Sequence, residues 1–256
     1  MQYDVRADLR EALSKLDNLR KDQIPFATAY ALTQTAKDGQ AAVVREMRSV
    51  FSNPTPYTLA GLFIKPATKS KLISTVKFKD QAFKGVPADR YITVQVEGGA
   101  RRRKGFEELL IRAGVMPPNS YAVPTRAAKL DQYGNVPRGT LNAILSQLQA
   151  SRDVLSRETP TSRARNERRR NRRFSRYFTV YPGRARTKHL APGIYERVGF
   201  GFGSAIRPVF LFVERPPMYK PRLPFYRVID DTLRLRLVPN FEAAFALAER
   251  TMRPAA

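Results

Sequence analysis

Between Arg152 and Lys188 the chain carries twelve arginines and one lysine against three acids, Asp153, Glu158 and Glu167. A guanidinium stays charged at any ordinary pH, and burying one without a carboxylate partner is strongly unfavourable. With so few acids nearby, this segment cannot join a core and must face water, a polyanion or an acidic partner. Phe174, Tyr177, Phe178 and Tyr181 follow its densest part, Arg168, Arg169, Arg170, Arg172 and Arg173. Arginine's planar fork suits phosphate and carboxylate alike. Nucleic acid, an acidic protein and a plain solvated loop are therefore all readings of the segment.

The bias extends along the whole chain, which has 46 Lys and Arg against 22 Asp and Glu and a formal net charge of +24. Such charge favours fast, salt-sensitive association with polyanions but selects no fold. At 43% hydrophobic residues the 256-residue chain has enough apolar material for a core. The absence of cysteine excludes disulfides and thiolate metal sites, and a single histidine, His189, excludes multi-histidine centres. No apolar run approaches the roughly 18 residues of a membrane span, and Met1 to Arg20 is charged rather than signal-like. Synthesis in the cytoplasm is expected, with no membrane partner.

Leu9, Leu13, Leu16 and Leu19 recur at helical spacing, and a second helix is expected from Pro25 through Phe51, ending at Asn53-Pro54-Thr55-Pro56. Leu59 to Lys65 and Leu72 to Lys79 have strand chemistry and should pair antiparallel. Residues 85–150 read as an inserted helical lobe, with helices over Phe106 to Ala113 and Arg138 to Leu155. Strands return at Tyr177 to Tyr181, Gly193 to Val198 and Arg207 to Val213, with Gly199 to Gly203 as a hairpin tip. A helical pattern then runs through Leu237, followed by a last helix from Phe241 to Met252.

The expected architecture is α+β, an antiparallel sheet with packed N- and C-terminal helices and an inserted helical lobe. In this division residues 1–84 hold the first helices and strands of the core domain, 85–150 the lobe, 151–176 the arginine segment, and 177–256 the remaining strands and C-terminal helices. The strands on either side of the insertion are expected to share one sheet, because each set is too short to form a stable sheet alone.

Catalytic chemistry is thin. Asp230 and Asp231 are adjacent on a predicted helix, so their side chains diverge by about 100° and suit partnership with Arg227 and Arg234 better than a shared metal. His189 has no serine or acid at a telling spacing, and there is no phosphate-binding glycine-lysine loop. The chain is expected not to be an enzyme and to need no cofactor. Arg101, Arg102, Arg103 and Lys104, with Arg163, Arg165, Arg168, Arg169, Arg170, Arg172, Arg173 and Arg176, are the candidates for polyanion or partner contact. Pro54, Pro56 and Tyr57, with Pro216, Pro217, Tyr219, Pro224, Phe225 and Tyr226, are the candidates for partner docking, since proline-rich loops dock with little entropy loss.

Ile24-Pro25-Phe26-Ala27-Thr28-Ala29-Tyr30-Ala31-Leu32-Thr33-Gln34-Thr35-Ala36, followed by a helix carrying Val44-Arg45-Glu46, resembles the opening of the minor tail protein Z, or tail-completion, proteins of lambda-like phages. Arg207-Pro208-Val209-Phe210-Leu211-Phe212-Val213 and Leu223-Pro224-Phe225-Tyr226 resemble the end of the broader tail-completion and neck group. The likeness covers about the first 80 residues and the last 75, and residues 85–150 have no counterpart in it. It implies a virion protein that completes the tail or joins it to the head-neck connector near the DNA path. The partners it implies are tail-tube, tail-terminator or neck proteins, a homo-oligomeric ring in the particle, and non-specific contact with genomic DNA. The rival readings are a nucleic-acid-binding protein outside the virion and, more remotely, a metal-dependent nuclease.

Overall fold

A computed structural model describes residues 1–6, 18–83, 85–168, 175–181, 189–200 and 203–250. The elements run β1 (Gln2–Arg6), α1 (Asn18–Val50), α2 (Pro56–Leu59), β2 (Leu62–Lys65), β3 (Ile73–Phe78), α3 (Ala88–Val96), β4 (Gly99–Ala100) and α4 (Gly105–Arg112). They continue with β5 (Tyr121–Pro124), α5 (Arg138–Gln147), a 3₁₀ turn (Val154–Ser156), α6 (Pro160–Arg168) and β6 (Ser175–Val180). The last are β7 (Gly193–Phe200), β8 (Gly203–Val213), β9 (Met218–Tyr219) and α7 (Phe225–Arg250). The chain is α+β, as its pattern requires, and divides into a base unit of residues 1–99 and 219–256 and an inserted unit of residues 100–218. The short strands β4 and β9, where the chain passes into and out of the insert, pair with each other.

The base unit is built on α1 and α7, with a three-stranded antiparallel sheet in the order β1-β3-β2. Its core holds Val43 and Met47 of α1, Val76 and Phe78 of β3, Ile92 of α3 and Phe225 and Ile229 of α7. Toward the other end of α1 the contact is made by Ala27 and Ala31 against Ala244, small residues that let two backbones approach closely. Asn240 of α7 donates to Thr35 Oγ1 at 3.0 Å and to Asp38 at 2.9 Å, which fixes the register of the two helices. α1 stops where expected. Asn53 adopts a left-handed φ of 53°, Pro54 follows, and Thr55 caps α2 by accepting from the Thr58 N–H at 3.1 Å.

The inserted unit has its own four-stranded antiparallel sheet, ordered β5-β8-β7-β6, with α4 and α5 packed on its inner face. Leu110, Met116, Ala122, Ile144, Ile194 and Phe210 fill this second core. β8 carries Pro208 in a central strand, where a missing N–H should break the ladder. A register shift between Ile194 and Tyr195, opposite Phe210 and Pro208, absorbs it as a bulge. Gly193 faces the Phe210 carbonyl so closely that any side chain would collide with backbone.

Several expectations change. The strands at 177–213 do not extend the first sheet; they form a separate four-stranded sheet with β5 inside the insert. β5 supplies the fourth strand that makes the second sheet viable, and four residues ending in Pro124 are too few to show a period. The insert begins at residue 100 rather than 85, because Ala88 and Ile92 of α3 lie in the base core. The helix expected over Arg138 to Leu155 ends at Gln147. There Gln149 takes φ 59°, and the N–H groups of Gln149 and Ala150 bond back to Ser146 and Leu145, closing a Schellman turn without glycine. Pro25 and Pro239 lie within α1 and α7 rather than bounding helices. Each removes one backbone donor while its fixed φ remains helical. Residues 2–6 form a strand where the sequence suggests none. Leu9, Leu13 and Leu16 lie outside the described residues.

Candidate functional site

Residues 100–218 contain 24 Lys and Arg, 21 of them arginine, against 8 Asp and Glu; their formal +16 is two thirds of the chain's +24. Part of this charge is presented on α6. Thr159 and Ser162 cap that helix reciprocally, each hydroxyl accepting the other's backbone N–H at 3.1 and 2.9 Å. Arg163 and Arg165 project from it into solvent. α6 has no buried residue among those whose side chains are described, so it is held by its cap and by solvation rather than by a core. Arg176 stands half-exposed on β6. The Arg168 side chain and Arg169, Arg170, Arg172 and Arg173 lie outside the described residues.

The run Arg101 to Lys104 behaves differently from its expected role. Arg101 forks onto Glu107, Nη1 to Oε2 at 2.9 Å and Nη2 to Oε1 at 2.5 Å. Glu107 is fully buried and also accepts the backbone N–H groups of Lys104 at 2.7 Å and Ala122 at 2.8 Å. Burial pushes its carboxyl up, but the Arg101 fork and the two backbone donors outweigh that and hold it below the usual carboxylate range. Arg103 bonds the Pro118 carbonyl, and both guanidiniums lie over the Tyr121 ring, at 5.4 Å for Arg101 and 5.2 Å for Arg103. Arg101 is therefore a structural tie between α4 and β5. Only Arg102 and Lys104 of this run are well exposed.

The docking candidates also divide. Phe225 is fully buried, its ring 5.2 Å from Phe78, and is a core residue rather than a docking one. Tyr226, next to it, is 43% exposed. Pro216, Pro217, Tyr219 and Pro224 are half-buried, and the Pro217 carbonyl accepts the Arg101 N–H at 3.0 Å. Pro56 opens α2 behind the half-buried Pro54. Tyr57 forms one wall of an open notch of about 380 Å³ with Ala60, Gly61, Ala82, Phe83 and Ala88, its hydroxyl bonded to the Val86 carbonyl at 3.0 Å.

Two further features of this region escape the candidate residues named from the sequence. Phe83 is 99% exposed at the notch, an unusual position for phenylalanine. Lys65, Lys69, Lys71, Lys77, Lys79 and Lys84 all fall between residues 65 and 84 with Asp80 as the sole acid and no arginine, a cluster visible in the sequence itself. Of these, Lys65, Lys69, Lys71 and Lys79 are exposed, so the base unit presents lysine where the insert presents arginine.

No catalytic constellation is assembled among the described residues. Asp230 bonds Arg234 at 2.8 Å and Asp231 lies 3.9 Å from Arg227, the i,i+4 pairs that the sequence suggests. Asp230 also accepts from the Tyr3 hydroxyl at 3.2 Å. His189 is exposed, and no group of three or more metal-ligating side chains occurs among the described residues. No described helix is long and apolar enough to cross a membrane. No family model, curated protein or solved structure matches the chain.

Proposed function

We propose that this chain is a structural protein of a tailed bacteriophage particle, one that completes the tail or joins it to the head-neck connector beside the DNA path. One observation carries the reading. Two of the three segments with the tail-completion pattern build the core of the base unit, with Ala27, Ala31, Leu32 and Ala36 from the first and Leu223 and Phe225 from the last, and the third, Arg207 to Val213, puts Val209 and Phe210 into the core of the insert. The likeness therefore includes residues that build the cores of the fold. The insert, whose residues 100–150 have no counterpart in that pattern, holds most of the excess charge. Its exposed arginines would meet DNA or acidic neighbours while the base unit docks on tail-tube, tail-terminator or neck subunits in a ring.

Disruption of the gene in the phage that encodes it tests the reading directly. The expected result is unjoined heads and tails, or unfinished tails, by electron microscopy, with the protein detected by mass spectrometry in wild-type particles. Normal infectious particles lacking the protein would refute it. Persistence of the protein in the cytoplasm, bound to nucleic acid, would then favour the non-virion reading.

A further inference from the structure

The two outer edges of the insert's sheet are finished differently. On β6 the Tyr177 N–H points away from β7 and is capped by Gln147 Oε1 of α5 at 2.8 Å. On β8 the cover stops short, because β5 pairs only with Phe210 to Val213 and ends in Pro124. Thr125 then closes onto β8, its N–H on the Val209 carbonyl at 3.0 Å and its hydroxyl on the Pro208 carbonyl. The Ala128 N–H bonds back to the Thr125 carbonyl at 3.1 Å, which turns the chain off the edge.

Beyond that turn, Gly203 to Arg207 pair with β7 on one side and with no described residue on the other. Successive residues of an antiparallel strand point their backbone groups alternately to its two sides. Because Tyr177 points away from β7, Glu196 opposite it points toward β8, and the alternation turns Gly203, Ala205 and Arg207 to β7. The N–H and C=O groups of Ser204 and Ile206 therefore face outward, and no described residue bonds them. Residues 203–206 are all exposed, and none is the lysine or proline that blunts a strand edge.

Donors and acceptors in this alternating row are met by another strand, which a nucleic acid does not offer. Charge selects which strand. Arg197, opposite Ile206, and Arg126, next to the closing Thr125, are both exposed. Glu196 is already committed to Arg207, at 2.5 Å. A second copy of this chain would bring another insert of formal charge +16 to the same edge, whereas a carboxylate-bearing segment is attracted to it.

We infer that the free edge of β8, Gly203 to Arg207, is a docking site for an extended acidic segment of another protein, which joins the insert's sheet as a fifth strand. The inference goes beyond the proposed virion role and does not depend on it, since the purified chain carries the edge.

The probe is a fluorescein-labelled peptide that alternates valine with glutamate. Its comparators carry lysine for glutamate, or proline for valine, which keeps the charge but not the strand. In anisotropy titrations with the full chain the valine-glutamate peptide should bind, and each comparator should bind at least about tenfold more weakly. Ile206→Pro, which removes an outward donor and no bond to β7, should also weaken binding about tenfold. Amide exchange in the wild-type chain gives a reading that needs no variant. The Ser204 and Ile206 amides should exchange fast in the free chain and slowly with the peptide, while Ala205 and Arg207 stay protected throughout. Failure of the valine-glutamate peptide to bind, equal binding of either comparator, or Ser204 and Ile206 amides that the peptide leaves unchanged would overturn the inference. So would sedimentation showing a dimer whose formation protects those two amides, which would make the edge an interface between copies of this chain.

Discussion

Glu107→Gln is the most informative single change in the inserted unit. The substitution is nearly isosteric, so it leaves packing intact and alters charge and donor pattern alone. In the native site both carboxylate oxygens are acceptors only, shared among the Arg101 fork and the N–H groups of Lys104 and Ala122. A glutamine must turn its NH₂ toward one pair of these donors, setting donor against donor, and it leaves the Arg101 side chain, itself only 11% exposed, without its counter-charge. Breaking one side of a buried pair costs about 3–5 kcal/mol. For a unit of this size that corresponds to a drop in Tm of roughly 10 °C or more.

Urea unfolding followed by tyrosine fluorescence measures the effect, since the chain has no tryptophan and Tyr121 lies beside the site. The pH dependence gives a second reading. The Glu107 carboxyl is held below its ordinary value of about 4.3, so its contribution is fully present above that value and disappears as pH falls through the depressed folded-state value. The gap between wild type and variant should therefore close in acid and stay constant from about pH 5 upward. A destabilisation below about 1 kcal/mol at pH 7, or a gap that widens in acid, would refute the role given to this carboxylate.

Two pairs of substitutions test the packing. Gly61→Ala should destabilise the base unit by roughly 1–3 kcal/mol, because the new Cβ would lie 2.6 Å from Ala88 Cβ and 2.9 Å from the Thr58 carbonyl. Gly139→Ala, in the first turn of α5 with open space around it, should be neutral or stabilise by up to ~1 kcal/mol in the same denaturation assay. Phe225→Ala should cost about 3–5 kcal/mol, whereas Tyr226→Ala should stay within about 1 kcal/mol; comparable costs would mean that the tyrosine, too, is held by the fold.

The amino-acid pattern alone determined the α+β class, the stop of α1 at Asn53-Pro54, the β2–β3 and β7–β8 pairings, and the ion pairs of Asp230 and Asp231. Each of these rests on interactions within a few residues or on one hairpin, where spacing and turn chemistry act directly. Tertiary structure decided which strands share a sheet. β5 and β8 lie far apart in sequence, with Tyr121 paired to Val213, and a four-residue strand carries no period that would announce the pairing. It also decided which cations can meet a partner. Arg101 and Arg102 are neighbours of the same kind, yet one is tied to a buried glutamate and the other faces water. The proline-aromatic run at 224–226 likewise sends Phe225 into the core and Tyr226 outward, because adjacent positions on a helix point about 100° apart and one core lies on one side. Charge and aromatic content are properties of the sequence, whereas exposure belongs to the packing of distant segments.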